Sequence, residues 1–237
     1  MAIKPILFNT EMVRAILEGR KSCTRRLVKP QPDEKHTYPL GFVTDSTEKK
    51  EVGCFGFAAN EYGGSIQYVK PPYRYAPGDI LYVRETWYKS PSRYMYRADY
   101  SNTERFYKDG KEVSIKWHPS IHMPKEAARI WLRVTDVRVE RMQEITNDGC
   151  VAEGIYPSNC RGCNAAFGCD TCIDEGYSEI DEFTEVWNST IKKSDLDRYG
   201  WDANPYVWVI EFERCEKPEE KSPFAWNDTI HKLMQEV

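Results

Sequence analysis

The chain has 237 residues, of which 41% are hydrophobic and 30% charged, and 33 basic against 37 acidic side chains give a net charge of −4. These values are ordinary for a globular protein, and the acidity argues against a protein that coats nucleic acid by bulk charge. No stretch reaches the roughly 18 apolar residues of a membrane span, and the N-terminus has no apolar signal-peptide core. We therefore expect a cytoplasmic protein without a membrane partner, and the sequence indicates no protein partner.

The hydrophobic pattern predicts short strands and helices along the whole chain. In chain order they are a strand over 3–8, a helix over 10–18, a strand over 80–87, a hairpin over 92–110, a strand over 129–141, a helix over 146–153, a helix from 178 and a strand over 206–212. Residues 30–76 are rich in Gly, Pro and Tyr, which predicts a long loop with one hairpin. Val134 and Val137 differ in parity, which predicts a β-bulge between them. Because strands outnumber the short helices, we expect a mixed α+β fold with a barrel-like sheet.

Four of the eight cysteines form two Cys-x-x-Cys pairs within thirteen residues. Each pair can direct both thiolates to one ion, and four thiolates are a ligand set of structural zinc. The sequence therefore predicts a zinc-binding insert over residues 156–176, with disulfides or an iron–sulfur cluster as alternatives. The predicted ligands are Cys160, Cys163, Cys169 and Cys172.

Residues 14–29 are basic against the sign of the whole chain, with six basic residues, one acidic residue and a local charge of +5. Residues 19–26 (GRKSCTRR) place an amine, a hydroxyl and guanidiniums close together. An amine crowded by arginines favours its neutral form, so Lys21 could act as a base toward Thr24, three residues away. The same residues could instead clamp a phosphate or form a solvated charged surface. Cys23 is a minor candidate nucleophile because cations lower the pKa of a thiol.

These residues resemble the Gly-x-Lys-x-x-Glu-x-Arg signature of the ASCH domains in the PUA-like superfamily. Gly19, Lys21 and Arg26 match the signature, and Thr24 stands at the position of its Glu. A small bacterial branch of that family, the N4-acetylcytidine amidohydrolases, carries Thr at this position. Segments PGDILYVRETW and PYVWVIEFE, with the long strand 129–141, resemble a longer bacterial and phage group of ASCH proteins without established activity.

The resemblance implies one ASCH domain over residues 1–213, followed by a charged tail over 214–237. It implies a small β-barrel with short helices packed at its mouth. The loop 30–76 and the cysteine insert have no counterpart in the small amidohydrolases, and they could reshape or close the pocket.

The resemblance also implies a catalytic set, in which Thr24 is the nucleophile, Lys21 the base and Glu153 the acid. A nucleoside or RNA is the ligand that it implies. Candidate ligand-binding residues are Arg20, Arg25, Arg26, Glu85 and Trp87.

Three functions remain open from the sequence. The first is an amide hydrolase acting on an acylated, modified pyrimidine nucleoside. The second is a module without catalysis that binds RNA or a modified base through residues 20–29 and nearby aromatic rings. The third is a ribonuclease, for which Asp79 and Glu85 are the available carboxylates, although Glu85 could equally pair with an arginine.

Overall fold

The structure, a computed structural model, describes residues 1–108, 110–156 and 178–219. Its described part is a mixed α+β fold dominated by sheets, with short helices, as the sequence predicts. The strands are β1 (Ile3–Leu7), β2 (Cys23–Leu27), β3 (Tyr38–Phe42), β4 (Phe55–Asn60), β5 (Gly63–Val69), β6 (Ile80–Arg84), β7 (Trp87–Lys89), β8 (Tyr94–Tyr96), β9 (Phe106–Lys108), β10 (Lys111–Val113), β11 (Trp131–Arg141) and β12 (Tyr206–Cys215). The α-helices are α1 (Thr10–Leu17), α2 (Asn147–Ala152), α3 (Glu179–Thr190) and α4 (Leu196–Tyr199). Among these residues no helix has the length and apolarity needed to cross a membrane.

A five-stranded sheet in the order β1-β6-β11-β12-β2 organises the molecule. β1 and β6 run parallel, and every other neighbouring pair in this sheet is antiparallel. β1 and β2 form its two edges, and no strand pair among the described residues closes the sheet into a barrel. The barrel therefore stays a prediction. The other paired strands form a three-stranded sheet, β3-β4-β5, and the hairpins β7-β8 and β9-β10.

The two faces of the strand β12 contact different apolar clusters. Trp208, Ile210 and Phe212 join the core formed with β1, α1 and the three-stranded sheet. Val207 and Val209, which alternate with them, pack with residues of α2 and α3. Successive side chains of a strand point to opposite faces, so the near-continuous apolar run of β12 is explained by a strand buried on both sides.

The long segment 30–76 is more ordered than the predicted loop. Its predicted hairpin is confirmed as β4 and β5, and β3 adds an edge strand that the sequence pattern did not reveal. Pro39 and Gly41 hide this strand, because both residues are tolerated mainly at sheet edges or bulges. The rings of Phe42 and Phe55 lie 5.9 and 6.1 Å from Trp208. The segment therefore packs directly on the central sheet beside β2.

The helix ends and the bulge agree with the sequence. Asn9 caps α1 by accepting a hydrogen bond from the Met12 amide at 2.8 Å, and Thr146 and Ser178 cap α2 and α3 in the same way. The register of β11 on β12 shifts between Val134 and Asp136, which confirms the bulge. The hairpin predicted over 92–110 was wrong in extent, because two short hairpins lie between residues 87 and 113.

Asp79 holds the N-terminal strand against the start of β6. Its carboxylate accepts hydrogen bonds from the Ala2 amide at 2.8 Å and from Lys4 Nζ at 2.5 Å. Burial alone would raise the pKa of Asp79, but the bonds from Lys4, Ala2 and Ala76 outweigh it and hold that pKa below its ordinary value. The folded state is therefore stabilised by the ionised carboxylate.

We expect Asp79→Asn to lower the free energy of unfolding at neutral pH by about 2 kcal/mol, since the carboxylate's bond to Lys4 is weakened. Because Asp79 contributes only while ionised, the difference from the parent should disappear as the pH falls below about 4. Urea unfolding at neutral pH and at low pH measures this. Asp45→Asn, at an exposed aspartate, is the control. A deficit of equal size at both pH values would contradict the role of the ionised form.

Candidate functional site

The candidate site lies where the end of α2 meets the free edge of β2. The Ser22 amide donates to the Ala152 carbonyl at 2.9 Å. The Arg25 amide, which points away from β12, donates to Glu153 Oε1 at 2.5 Å. Because an edge strand exposes unpaired amides, the Glu153 carboxylate takes the place that a neighbouring strand would occupy.

Lys21 and Glu153 form a buried ion pair at this edge. Lys21 Nζ donates to Glu153 Oε2 and to the Glu153 carbonyl oxygen, both at 2.7 Å. The Lys21 side chain is fully inaccessible to solvent and that of Glu153 is 6% exposed. Nζ also lies 5.5 Å from the centre of the Phe8 ring. Two of the three residues of the expected catalytic set therefore converge.

Gly154 allows the close approach of α2 to Lys21. A Cβ at Gly154 would lie 2.9 Å from the Cβ of Ala15 and 3.4 Å from that of Lys21. The residue also has a φ of 103°, which side chains disfavour. Arg20 also contacts the residues that follow α2. Its guanidinium donates to the Gly154 carbonyl and lies 3.7 Å from the ring centre of Tyr156.

An ion-pair network extends from this pair across the sheet. Arg25 Nη1 lies 3.5 Å from Glu153 Oε1, and Arg25 Nη2 lies 3.1 Å from Glu140 Oε2. Arg138 Nε lies 2.6 Å from Glu140 Oε1. Arg138 also pairs with Asp136 and Glu211 at 2.9 and 2.6 Å. The network therefore consists of Lys21, Glu153, Arg25, Glu140, Arg138, Asp136 and Glu211, with cations and anions in contact throughout.

Thr24 and Arg26 face the other side of β2. Their register partners on β12 are Ile210 and Trp208, which belong to the core beneath the three-stranded sheet. The buried Thr24 hydroxyl has no hydrogen-bond partner in the described part of the chain. It forms no hydrogen bond with Lys21, and the residues from Cys23 to Leu27 are extended.

Arg26 lies on the same face as Thr24. Its Nη2 donates to the Leu7 carbonyl at 3.1 Å, and its guanidinium carbon lies 5.7 Å from the centre of the Phe8 ring. Burial lowers the pKa of Arg26, against the opposing charges of Glu153 and Tyr75. In the described residues no carboxylate forms an ion pair with it.

The thiol of Cys23 is not an activated nucleophile. Burial raises its pKa to about 12, and the charge of Glu153 adds to this effect against Lys21 and Arg25. Cys23 is therefore a neutral thiol at physiological pH, and the minor nucleophile hypothesis is wrong.

Glu85 is a buried salt-bridge partner. It accepts hydrogen bonds from Arg129 Nε at 2.9 Å and Arg129 Nη2 at 3.1 Å, and Arg129 also reaches a carboxylate oxygen of Asp99 at 2.8 Å. Burial raises the pKa of Glu85 against the effect of Arg129. Asp79 and Glu85 flank opposite ends of β6, roughly 20 Å apart at the rise of a strand. They therefore form no carboxylate pair of the kind that the ribonuclease hypothesis requires.

Trp87 is a core residue in this structure. Its ring lies 5.7 Å from Tyr94 and 5.1 Å from His118, and its indole N–H has no partner among the residues described. This ring is not an exposed surface on which a base could stack.

The basic segment 14–29 does not present a free phosphate clamp. Each of its candidate arginines donates to a protein acceptor: Arg20 to Glu18, Arg25 to Glu140 and Arg26 to the Leu7 carbonyl. The four candidate zinc ligands, Cys160, Cys163, Cys169 and Cys172, lie outside the described residues. Within those residues no group of three or more His, Cys, Asp or Glu side chains could hold a metal ion.

Sequence reasoning missed Glu140 and Arg138. Their signal was present as Asp136-Val-Arg138-Val-Glu140, in which charges of alternating sign recur every second residue and so share one face of β11. The valines between them, Val137 and Val139, lie on the other face and give the segment its apolar strand pattern.

No family model, no curated protein and no solved structure matches this chain. The resemblance to ASCH domains therefore stays a prediction.

We expect Gly154→Ala to lower the free energy of unfolding by about 2–3 kcal/mol, because the new methyl group meets Ala15 and the backbone is strained. Gly19→Ala is the matched control. Gly19 also has a positive φ, 80°, but a Cβ there would meet nothing within 4 Å. The control should therefore cost only about 1 kcal/mol. Equal losses in urea unfolding would contradict the close approach at Lys21.

Proposed function

We propose that the chain is an amide hydrolase acting on an acylated, modified pyrimidine nucleoside, with the Lys21–Glu153 pair as its acid–base centre. The observation that carries this proposal is the buried pair at 2.7 Å, in which Glu153 also accepts the amide of Arg25, the neighbour of Thr24. The buried hydroxyl of Thr24 has no hydrogen-bond partner in the described part of the chain. Titratable pairs held away from water are characteristic of active sites. The resemblance to the N4-acetylcytidine amidohydrolases supports the same assignment.

In this mechanism Thr24 is the nucleophile. In the reactive form Lys21 has lost one proton to solvent and is a neutral amine, so the Thr24 oxygen bonds to the acyl carbon while its proton passes to Lys21 Nζ. That proton then moves across the 2.7 Å contact from Nζ to Glu153 Oε2. The tetrahedral intermediate collapses by cleavage of the carbon–nitrogen bond, and Glu153 delivers the proton to the leaving nitrogen. A water molecule hydrolyses the acyl–Thr24 ester, releases the carboxylic acid and restores the hydroxyl.

The Lys21 side chain lies close to groups on both faces of β2. Its ammonium uses two N–H donors on Glu153 and approaches the ring of Phe8, which belongs to the core on the Thr24 side. Arg26 on that side has no carboxylate partner in the described chain, so its guanidinium is the proposed group for stabilising the oxyanion.

The barrel closure and the four-cysteine zinc site belong to the same proposal. Zinc held by the four thiolates would be structural, since such a site leaves no open coordination position for a substrate. No step of the proposed hydrolysis depends on it.

Acetate release from N4-acetylcytidine tests the function. We expect release by the parent and a loss of at least about 100-fold in Lys21→Met and Thr24→Val, because each removes a group in the proton or acyl transfer. Lys192→Met, at an exposed lysine, is the matched control.

Thr24→Val separates catalysis from folding. It removes a buried hydroxyl that has no partner within the described ranges, so we expect the free energy of unfolding to stay equal or rise by about 1 kcal/mol. Unchanged release in Lys21→Met, or a marked destabilisation in Thr24→Val, would contradict the assignment.

A second candidate function, RNA binding without catalysis, is favoured by a different surface. Residues 84–133 hold eleven basic and six acidic residues, a local charge of +5 in an acidic chain. A cleft of about 480 Å³ opens there, and Arg97, Arg105, Phe106 and Trp117 are among its lining residues. Cations and aromatic rings in one cleft suit the phosphates and bases of a single strand.

Fluorescence anisotropy with a labelled single-stranded RNA over a salt series tests the second candidate. Arg105, Lys111 and Lys116 are exposed and belong to the cleft lining or are next in the chain to residues that do, so reversing all three to Glu should weaken binding by at least tenfold. The slope of log affinity against log salt should fall by about two, at roughly 0.7 per lost phosphate contact. Reversal of the exposed Lys192 and Lys193 is the control. Affinity that is equal in both variants would exclude this surface.

A further inference from the structure

The ion-pair network passes from the protein interior to its surface. The side chains of Lys21 and Arg25 are 0% and 4% exposed, whereas those of Glu140 and Arg138 are 21% and 39% exposed. Its buried part, Lys21, Glu153 and Arg25, holds two cations and one anion. Glu140 supplies the missing negative charge from β11, which lies beyond β12 in the sheet.

The charges of Lys21, Glu153 and Arg25 interact strongly because these side chains are buried. Coulomb interactions are strong where water is excluded and weak where it has access. Arg25 and Glu140 lie on the face of the sheet opposite to Thr24 and Arg26, so they are separated from the proposed substrate by the sheet itself. Arg25 contacts the proposed catalytic set at Glu153.

We propose that Arg25 and Glu140 are positioning residues that set the charge state of the Lys21–Glu153 pair in opposite directions. This inference rests on the proposed function, because it concerns the group that must accept the proton of Thr24. The positive charge of Arg25 favours loss of a proton from the pair, and the negative charge of Glu140 opposes it. Arg138, more exposed and one contact further away, has the weaker influence.

Other ionisable groups face the pair from each neighbouring element. Burial raises the pKa values of the Cys23 and Cys150 thiols to about 12, so both are neutral at physiological pH. Arg20 donates to the Gly154 carbonyl beside Glu153, and the charge of Glu153 acts on Arg26. The charges of Glu211 from β12 and Glu179 from α3 act on the thiols of Cys23 and Cys150. None of these changes in the variants below, so a shift reports the altered residue.

Direct titration of Lys21 tests the inference. The full chain is labelled with ¹³C at lysine Cε, and the Lys21 signal is assigned by its absence from Lys21→Met. We expect Arg25→Gln to move the titration midpoint of this signal up by about one pH unit, and Glu140→Gln to move it down by about half a unit. Arg138→Gln should produce a smaller upward shift, since the Arg138 side chain is 39% exposed.

The opposite signs distinguish charge from loosened structure. A loss of packing would move both variants in the same direction, toward the behaviour of an exposed lysine. Arg25→Lys and Glu140→Asp keep the charges and should restore the parent midpoint. If Arg25→Gln does not fold, Glu140→Gln and its charge-preserving partner still decide the question. Shifts of equal sign, or no shift in Glu140→Gln, would overturn the proposal.

The inference and the proposed function can fail separately. If N4-acetylcytidine is hydrolysed, the rising limb of kcat/KM against pH should move with the midpoint in each variant while KM changes little. If no variant and no parent releases acetate, the hydrolase assignment fails, and the midpoints still confirm or overturn the charge control of the pair.

Discussion

The buried ion pair between Lys21 and Glu153 is the contact on which the local architecture depends. Removing a carboxylate and an ammonium from water costs several kcal/mol for each ion, and their attraction repays this only with good geometry and further hydrogen bonds. Here both conditions are met, since Lys21 Nζ contacts the carboxylate and a carbonyl of the same residue. A well-packed apolar pair would often be as stable. A buried pair is therefore weak evidence for a role in stability, which agrees with the acid–base role that we propose for it.

The same carboxylate also completes the sheet. β2 is an edge strand, and edge amides invite pairing with other chains. Glu153 Oε1 accepts the outward amide of Arg25, and the Ala152 carbonyl accepts that of Ser22. The end of α2 thus covers the edge without a sixth strand. Protonation of Glu153 would weaken both the sheet edge and the ion pair, so the structure links the acid–base state of the site to the docking of α2.

The sequence predicted the fold best where local chemistry decides it. Helix caps such as Asn9 and Ser178 and the bulge beside Asp136 depend on neighbours in the chain, and all were recognisable. β3 was hidden because its edge position tolerates Pro39 and a glycine. The extent of the hairpins after β6 depends on pairing between distant residues, which local pattern does not specify.

In the candidate site, too, local features could be predicted from the sequence and contacts between distant residues could not. Lys21 and Glu153 are 132 positions apart, so their convergence could be expected only from the resemblance to a family and not from spacing. The side of the strand to which each residue points could have been read from its period of two. In a strand, successive side chains point to opposite faces, so Thr24 and Arg25 lie on different sides of β2.

Arg25 and Thr24 are neighbours in β2 but differ in their polar contacts. Arg25 contacts two carboxylates, whereas the buried hydroxyl of Thr24 has no hydrogen-bond partner among the residues that the structure describes. A buried hydroxyl without a hydrogen bond destabilises the folded state, and Val would fill nearly the same space without that cost. Strain of this kind is concentrated at functional sites. A nucleophilic hydroxyl gives its proton to a base within hydrogen-bond reach, and in structures without substrate such contacts are often long and tighten only when substrate binds. The unpaired state of Thr24 thus agrees with its proposed role, while the paired state of Arg25 agrees with control of charge from the opposite face.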